Sequence, residues 1–82
     1  MVKIRFFAML KNKVGQEEVK LDVPENISLE KFKQILKKEF PAITEFLDKK
    51  SIMISVNQEF ATKNTMIKDG DEVALLPPFS GG

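Results

Sequence analysis

Pro77, Pro78, Phe79, Ser80, Gly81 and Gly82 close the chain, and the last two could carry chemistry through what they lack. Glycine has no Cβ, so it takes any backbone conformation and lets another protein's backbone come close. A terminal carboxylate on Gly82, behind Gly81, can therefore enter a narrow enzyme cleft. Two closing glycines arise by chance in about one chain in two hundred at average glycine usage, and a frayed end is the ordinary alternative. The preceding residues favour a tether instead. Val73, Ala74, Leu75 and Leu76 read as a buried strand running straight into Pro77 and Pro78, whose rings stiffen the exit into an extended path. The four residues beyond them reach roughly 13 Å at full extension. The expected organisation is a folded body over residues 1–76 and a flexible tail over 77–82.

Composition directs attention away from any other chemistry. The chain has no histidine and no cysteine, which removes the commonest neutral-pH acid/base, the commonest nucleophile and two common metal ligands. A self-contained enzyme is disfavoured. At 82 residues a single domain buries only about 60 to 65% of its unfolded surface, too little to enclose a large private active site. Presentation of a surface is the better expectation. Thirteen basic residues against twelve acidic ones leave a net charge of +1, so no footprint for nucleic acid or membrane stands out. The longest apolar run, Phe6 to Leu10, is far too short to span a bilayer, and Lys3 and Arg5 interrupt a signal-peptide core. Absence of disulfides suits a reducing compartment, and the expected location is cytoplasmic.

The elements that would position the tail follow from periodicity. Val2, Ile4 and Phe6 alternate with Lys3, Arg5 and Phe7, the period of a strand with one buried face. Met9 to Val14 suits a short helix, with Gly15 placed to cap it in a left-handed conformation. Val19, Leu21 and Val23 predict a second strand that Pro24 ends, paired with the first. Ser28 is a plausible N-cap for a helix whose apolar stripe is Leu29, Phe32, Ile35, Leu36 and Phe40, and Pro41 stops it. Ala42 to Leu47 suits one further turn. Ile52, Ile54 and Val56 predict a third strand, Asn57-Gln58 a tight turn into a short edge piece at Phe60, and Asp69-Gly70-Asp71 a turn before the last strand. One helix over one mixed sheet, with first and last strands parallel at its centre, is the expected α+β solution, a β-grasp or ubiquitin-like fold. Leu29, Phe32 and Leu36, with Ile4, Phe6, Leu21, Ile54, Val56, Val73 and Leu75, form the expected core.

The opposite face of the same strands is less bland. If Val2, Ile4 and Phe6 point inward, Phe7 points outward or sits at the strand's exit, and Leu76 points outward when Val73 and Leu75 point in. Phe60, after its tight turn, has few ways to reach the core. Isolated exposed apolar residues are normal. Three large ones beside the tail instead suggest a docking patch made of Phe7, Phe60 and Leu76.

Val2-Lys3-Ile4-Arg5-Phe6-Phe7-Ala8, Val56-Asn57-Gln58, Asp69-Gly70-Asp71-Glu72-Val73-Ala74 and the closing Pro77-Pro78-Phe79-Ser80-Gly81-Gly82 together resemble the MoaD family, the small sulfur-carrying subunit of molybdopterin synthase. The similarity spans nearly the whole chain in order. Phe79 departs from it, since a smaller aliphatic residue is more usual there. The resemblance implies that an activating enzyme uses ATP and Mg to adenylate Gly82, and that sulfur derived from a persulfide, supplied through a sulfurtransferase or cysteine desulfurase, then leaves a thiocarboxylate. It implies further that the large synthase subunit admits Pro77, Pro78, Phe79, Ser80 and Gly81 and transfers the sulfur to a pyranopterin precursor. Catalytic groups are then the partners', and this chain holds no cofactor and no metal. A sulfur carrier for thiamin thiazole synthesis shares the fold and the Gly-Gly end, but such chains are usually shorter and lack the proline pair. A modifier joined to target lysines through Gly82, and an interaction module with an incidental Gly-Gly, stay open as alternatives.

Overall fold

The computed structural model describes residues 1–23, 25–49 and 52–77. Alternation at the start becomes β1, Val2–Phe6, with Val2, Ile4 and Phe6 buried and Lys3 and Arg5 turned out. Chain reversal runs through α1, Met9–Val14, which Gly15 ends at φ 84°, its N–H donating to the Lys11 carbonyl at 2.8 Å. Glycine carries that left-handed turn without the Cβ clash another residue meets. β2, Glu18–Leu21, returns antiparallel to β1, with Ile4 opposite Val19 and Val2 opposite Leu21. The strand ends two residues earlier than its pattern predicts. Val23 is nevertheless buried, from an irregular segment.

A two-residue strand, β3 at Ile27–Ser28, leads directly into α2, Leu29–Glu39. Ser28 caps this helix, its hydroxyl accepting the Lys31 N–H at 3.1 Å. Leu29, Phe32 and Leu36 bury the helix's apolar stripe against the sheet, as expected, whereas Ile35 is only partly covered. Phe40 lies just past the helix and packs edge-on against Phe6, with ring centroids 5.1 Å apart and planes at 74°. Pro41 opens a 3-10 turn, Pro41–Ile43, that continues as α3, Thr44–Asp48. β4 is Met53–Val56, β5 Glu59–Phe60, β6 Met66–Ile67 and β7 Glu72–Leu76.

The main sheet has the order β2-β1-β7-β4-β5. β7 is its middle strand, parallel to β1 (Ile4 opposite Val73, Phe6 opposite Leu75) and antiparallel to β4 (Ile54 opposite Leu75, Val56 opposite Val73). Helix on one face of a mixed sheet with parallel first and last strands is the β-grasp arrangement expected from the sequence. The small sheet of β3 and β6, with Ile27 opposite Ile67, was not expected. Two-residue strands are too short to display a period. Leu10, Ile43, Leu47 and Ile67 also join the core beyond the expected set, while Leu21, expected inside, is only partly buried. Its position explains this, because β2 is an outer strand whose inner face the helix does not fully cover.

Candidate functional site

β7 determines where the chain leaves the sheet. A strand hydrogen-bonded on both sides is the hardest part of a sheet to deform, and β7 has β1 on one side and β4 on the other. It delivers Pro77 at the edge of the sheet's helix-free face. Pro78, Phe79, Ser80, Gly81 and Gly82 lie outside the described residues.

On that face the register sets the neighbours. Leu76 stands opposite Met53, and Phe60 stands opposite Ser55 on the other side of β4. Met53, Phe60, Leu76 and Pro77 line a hollow of ≈ 280 Å³. Met53 is 45% and Phe60 66% exposed, so two large apolar side chains face water beside the end of β7. Phe60 and Leu76 are therefore brought together as the sequence suggested. Phe7 is not in this hollow. It lies half-buried at the end of β1, its N–H donating to the Leu75 carbonyl at 3.3 Å, with the Arg5 guanidinium 5.6 Å from its ring centroid. Met53 is the member that sequence reasoning missed. The same alternation that turned Leu76 outward placed Met53 opposite in face to Ile54, so the signal was present.

The turn that presents Phe60 is held from below. Asn57 and Gln58 both have positive φ, 51° and 71°, the arrangement of a type I′ hairpin turn whose twist matches the flanking strands. Asn57 donates its side-chain N–H to Asp71 Oδ1 at 3.0 Å and accepts the Glu72 N–H on Oδ1 at 3.0 Å, while its backbone N–H reaches the Glu72 carbonyl at 2.8 Å. Asp71 is 4% exposed and also accepts the Lys68 N–H at 2.9 Å, with the Lys68 ammonium at 3.4 Å. Burial alone would push its carboxyl up, yet the Lys68 amide, the Asn57 side chain and the Lys68 ammonium together hold it below the ordinary aspartate value. A charge kept this way lets one buried carboxylate tie two turns together. Among the described residues no group of three or more acidic, histidine or cysteine side chains could hold a metal ion, and no helix is long and apolar enough to cross a membrane.

This geometry, an apolar hollow beside an outgoing central strand, suits binding. Comparison with known proteins gives it a setting. The model of the ThiS family matches residues 4–82. A molybdopterin synthase sulfur carrier subunit from Dictyostelium discoideum is 34% identical over 84 residues, which cover 98% of this chain and 94% of that one. SAMP1 from Haloferax volcanii, a small archaeal modifier protein, has a TM-score of 0.84 at 29% identity, with 99% of this chain and 98% of that one covered. A chain in the complex of subunits 1 and 2 of the molybdopterin-converting factor from Helicobacter pylori is 30% identical, with a TM-score of 0.67 over 99% of this chain and 97% of that one.

Proposed function

Since the chain belongs to the ThiS family, we propose that it is the sulfur carrier subunit of a molybdopterin synthase, with Gly82 as the residue that bears the sulfur. The observation that carries this reading is the near full-length similarity to sulfur carrier subunits, on a body whose middle strand leads straight to Pro77 beside an apolar hollow.

The division of labour follows from what the chain contains. A free carboxylate is a poor electrophile, so an adenylating enzyme with ATP and Mg attaches AMP to the Gly82 carboxylate and releases pyrophosphate. AMP is then a good leaving group. The terminal sulfur of a persulfide, delivered through a sulfurtransferase or cysteine desulfurase, displaces AMP to form an acyl disulfide, and a second thiol cleaves that S–S bond, leaving a thiocarboxylate on Gly82 and a disulfide on the sulfur donor. The large synthase subunit takes in Pro77, Pro78, Phe79, Ser80 and Gly81, the thiocarboxylate sulfur bonds to the pyranopterin precursor, and water then cleaves the acyl C–S bond, leaving the sulfur on the precursor and returning the Gly82 carboxylate. A chain without histidine or cysteine can do this, because other proteins install and remove its one reactive atom. It needs no cofactor of its own. The hollow of Met53, Phe60, Leu76 and Pro77, with Phe7 on the opposite side of β7, is where the partner's apolar surface seats. Missing disulfides agree with a cytoplasmic location.

Intact mass measures the exchanged atom. Incubated with ATP, magnesium, the activating enzyme and a sulfur source, the chain is expected to gain the difference between sulfur and oxygen, on Gly82 by fragmentation. Adding the large subunit and the pyranopterin precursor should return the original mass. Likeness to a small archaeal modifier protein favours a second reading, conjugation through Gly82. Isopeptide-linked products without sulfur transfer to the precursor would select it.

A further inference from the structure

Thirteen of the chain's residues are basic, and Arg5 is the single arginine among them. It sits on β1, on the helix-free face, with Glu18 of β2 and Ala74 of β7 as its cross-strand neighbours. Its guanidinium lies over the Phe7 ring at 5.6 Å, within the range of a cation–π contact. Five N–H donors leave this group, and its surroundings use them poorly. Nη1 is 3.6 Å from Glu72 Oε2, beyond hydrogen-bond length. Nε is buried and has no hydrogen-bond partner among the described residues. A buried donor without an acceptor is rare in a folded protein. The register partner of Arg5 on β7, Ala74, precedes by two residues Leu76, which lines the apolar hollow.

We propose that Arg5 receives a side-chain carboxylate of the docking partner, which makes the Arg5–Phe7 stack the polar end of the surface whose apolar end is Met53, Phe60, Leu76 and Pro77. This rests on the reading of that surface as the docking face. The cation–π contact with Phe7 already restrains the guanidinium, so less freedom is lost when a planar carboxylate pairs with its fork. Glu72, loosely paired and as exposed as Arg5 at 41%, is easily displaced. The occupant is a single carboxylate and not a polyanion, because Glu18 and Glu72 flank the site and would repel a chain of phosphates. A partner seated on Leu76 meets the hollow toward β4 and the stack toward β1.

Being alone of its kind, Arg5 yields one arginine Nε–H signal in a nitrogen-15 spectrum. Titration with the cognate large subunit should shift that signal and slow its exchange with water. In calorimetry, Arg5→Lys, which keeps charge but loses the fork, should weaken binding by about tenfold, with its melting temperature unchanged. A shift without loss of affinity, or a loss without a shift, overturns the inference. Phe60→Asp separates it from the docking reading. Binding lost in Phe60→Asp with a silent Arg5 signal removes only the carboxylate contact, whereas binding kept in Phe60→Asp with a responsive Arg5 removes the hollow and retains the contact.

Discussion

Asp71 shows how one side chain can decide local stability. Its carboxylate is buried and accepts hydrogen bonds from the Lys68 backbone and the Asn57 amide. Asp71→Ala would leave both donors without their acceptor, at a cost of about 2 kcal/mol, measurable by urea denaturation at neutral pH. The pH dependence has a definite sign. A folded value below the ordinary 3.8 means that the carboxylate stabilises the fold above the usual aspartate range and that this contribution disappears as pH falls through the folded value. Wild type and Asp71→Ala should therefore converge in acid. An unchanged difference at low pH would contradict the ionised carboxylate as the cause. Asp69-Gly70-Asp71 was readable as a turn from its residue types. Which aspartate enters the interior was not, because that depends on Asn57, fourteen positions away.

Among the elements, the hairpin of β4 and β5 departs from its local preferences. A type I′ turn favours glycine at its second central position, and here Gln58 holds φ 71°. Gln58→Gly should relieve the left-handed strain, and after the added flexibility of the unfolded chain it should stabilise by about 0.5 kcal/mol. Raised melting temperature with unchanged partner affinity is the expected pair of results. At the other extreme, α2 agrees with its sequence throughout. Its Ser28 cap is a hydroxyl taking the Lys31 N–H, so Ser28→Ala should cost about 1 kcal/mol, read from the same denaturation curves. The hairpin turn is tolerated because Asn57 holds it with three hydrogen bonds, two donated and one accepted; the helix needs no such support.

At the scale of the whole molecule, stability and function separate. The core joins α2 to the inner face of the sheet; on the proposed reading the reactive residue is an exposed chain end, which contributes almost nothing to folding. Deleting Gly82, or adding one residue after it, should abolish sulfur transfer and leave thermal melts unaltered. Full transfer by the extended chain would defeat the carrier reading. Leu76→Asp probes the surface that links body and tail. It should weaken binding to the large subunit by more than about 2 kcal/mol, the scale of an apolar hot spot. A large fall in melting temperature with affinity intact would instead assign Leu76 to the fold.

Sequence alone determined what neighbouring residues encode. Period two assigned the inward faces of β1, β4 and β7, and Ser28 and Pro41 bracketed α2. The closing glycines, with histidine and cysteine both missing, directed function toward the tail. Tertiary structure decided what distant segments do to one another. It joined Asn57 to Asp71, set Met53 against Leu76, separated Phe7 from the hollow and left the Arg5 Nε without a partner. It also buried Leu10, Ile43 and Ile67, which lie in short or irregular segments. A strand's alternation and a helix's stripe are properties of the chain over a few residues. Register and strand order are properties of contacts across the sheet, and only folding fixes which groups those contacts satisfy and which they leave for a partner.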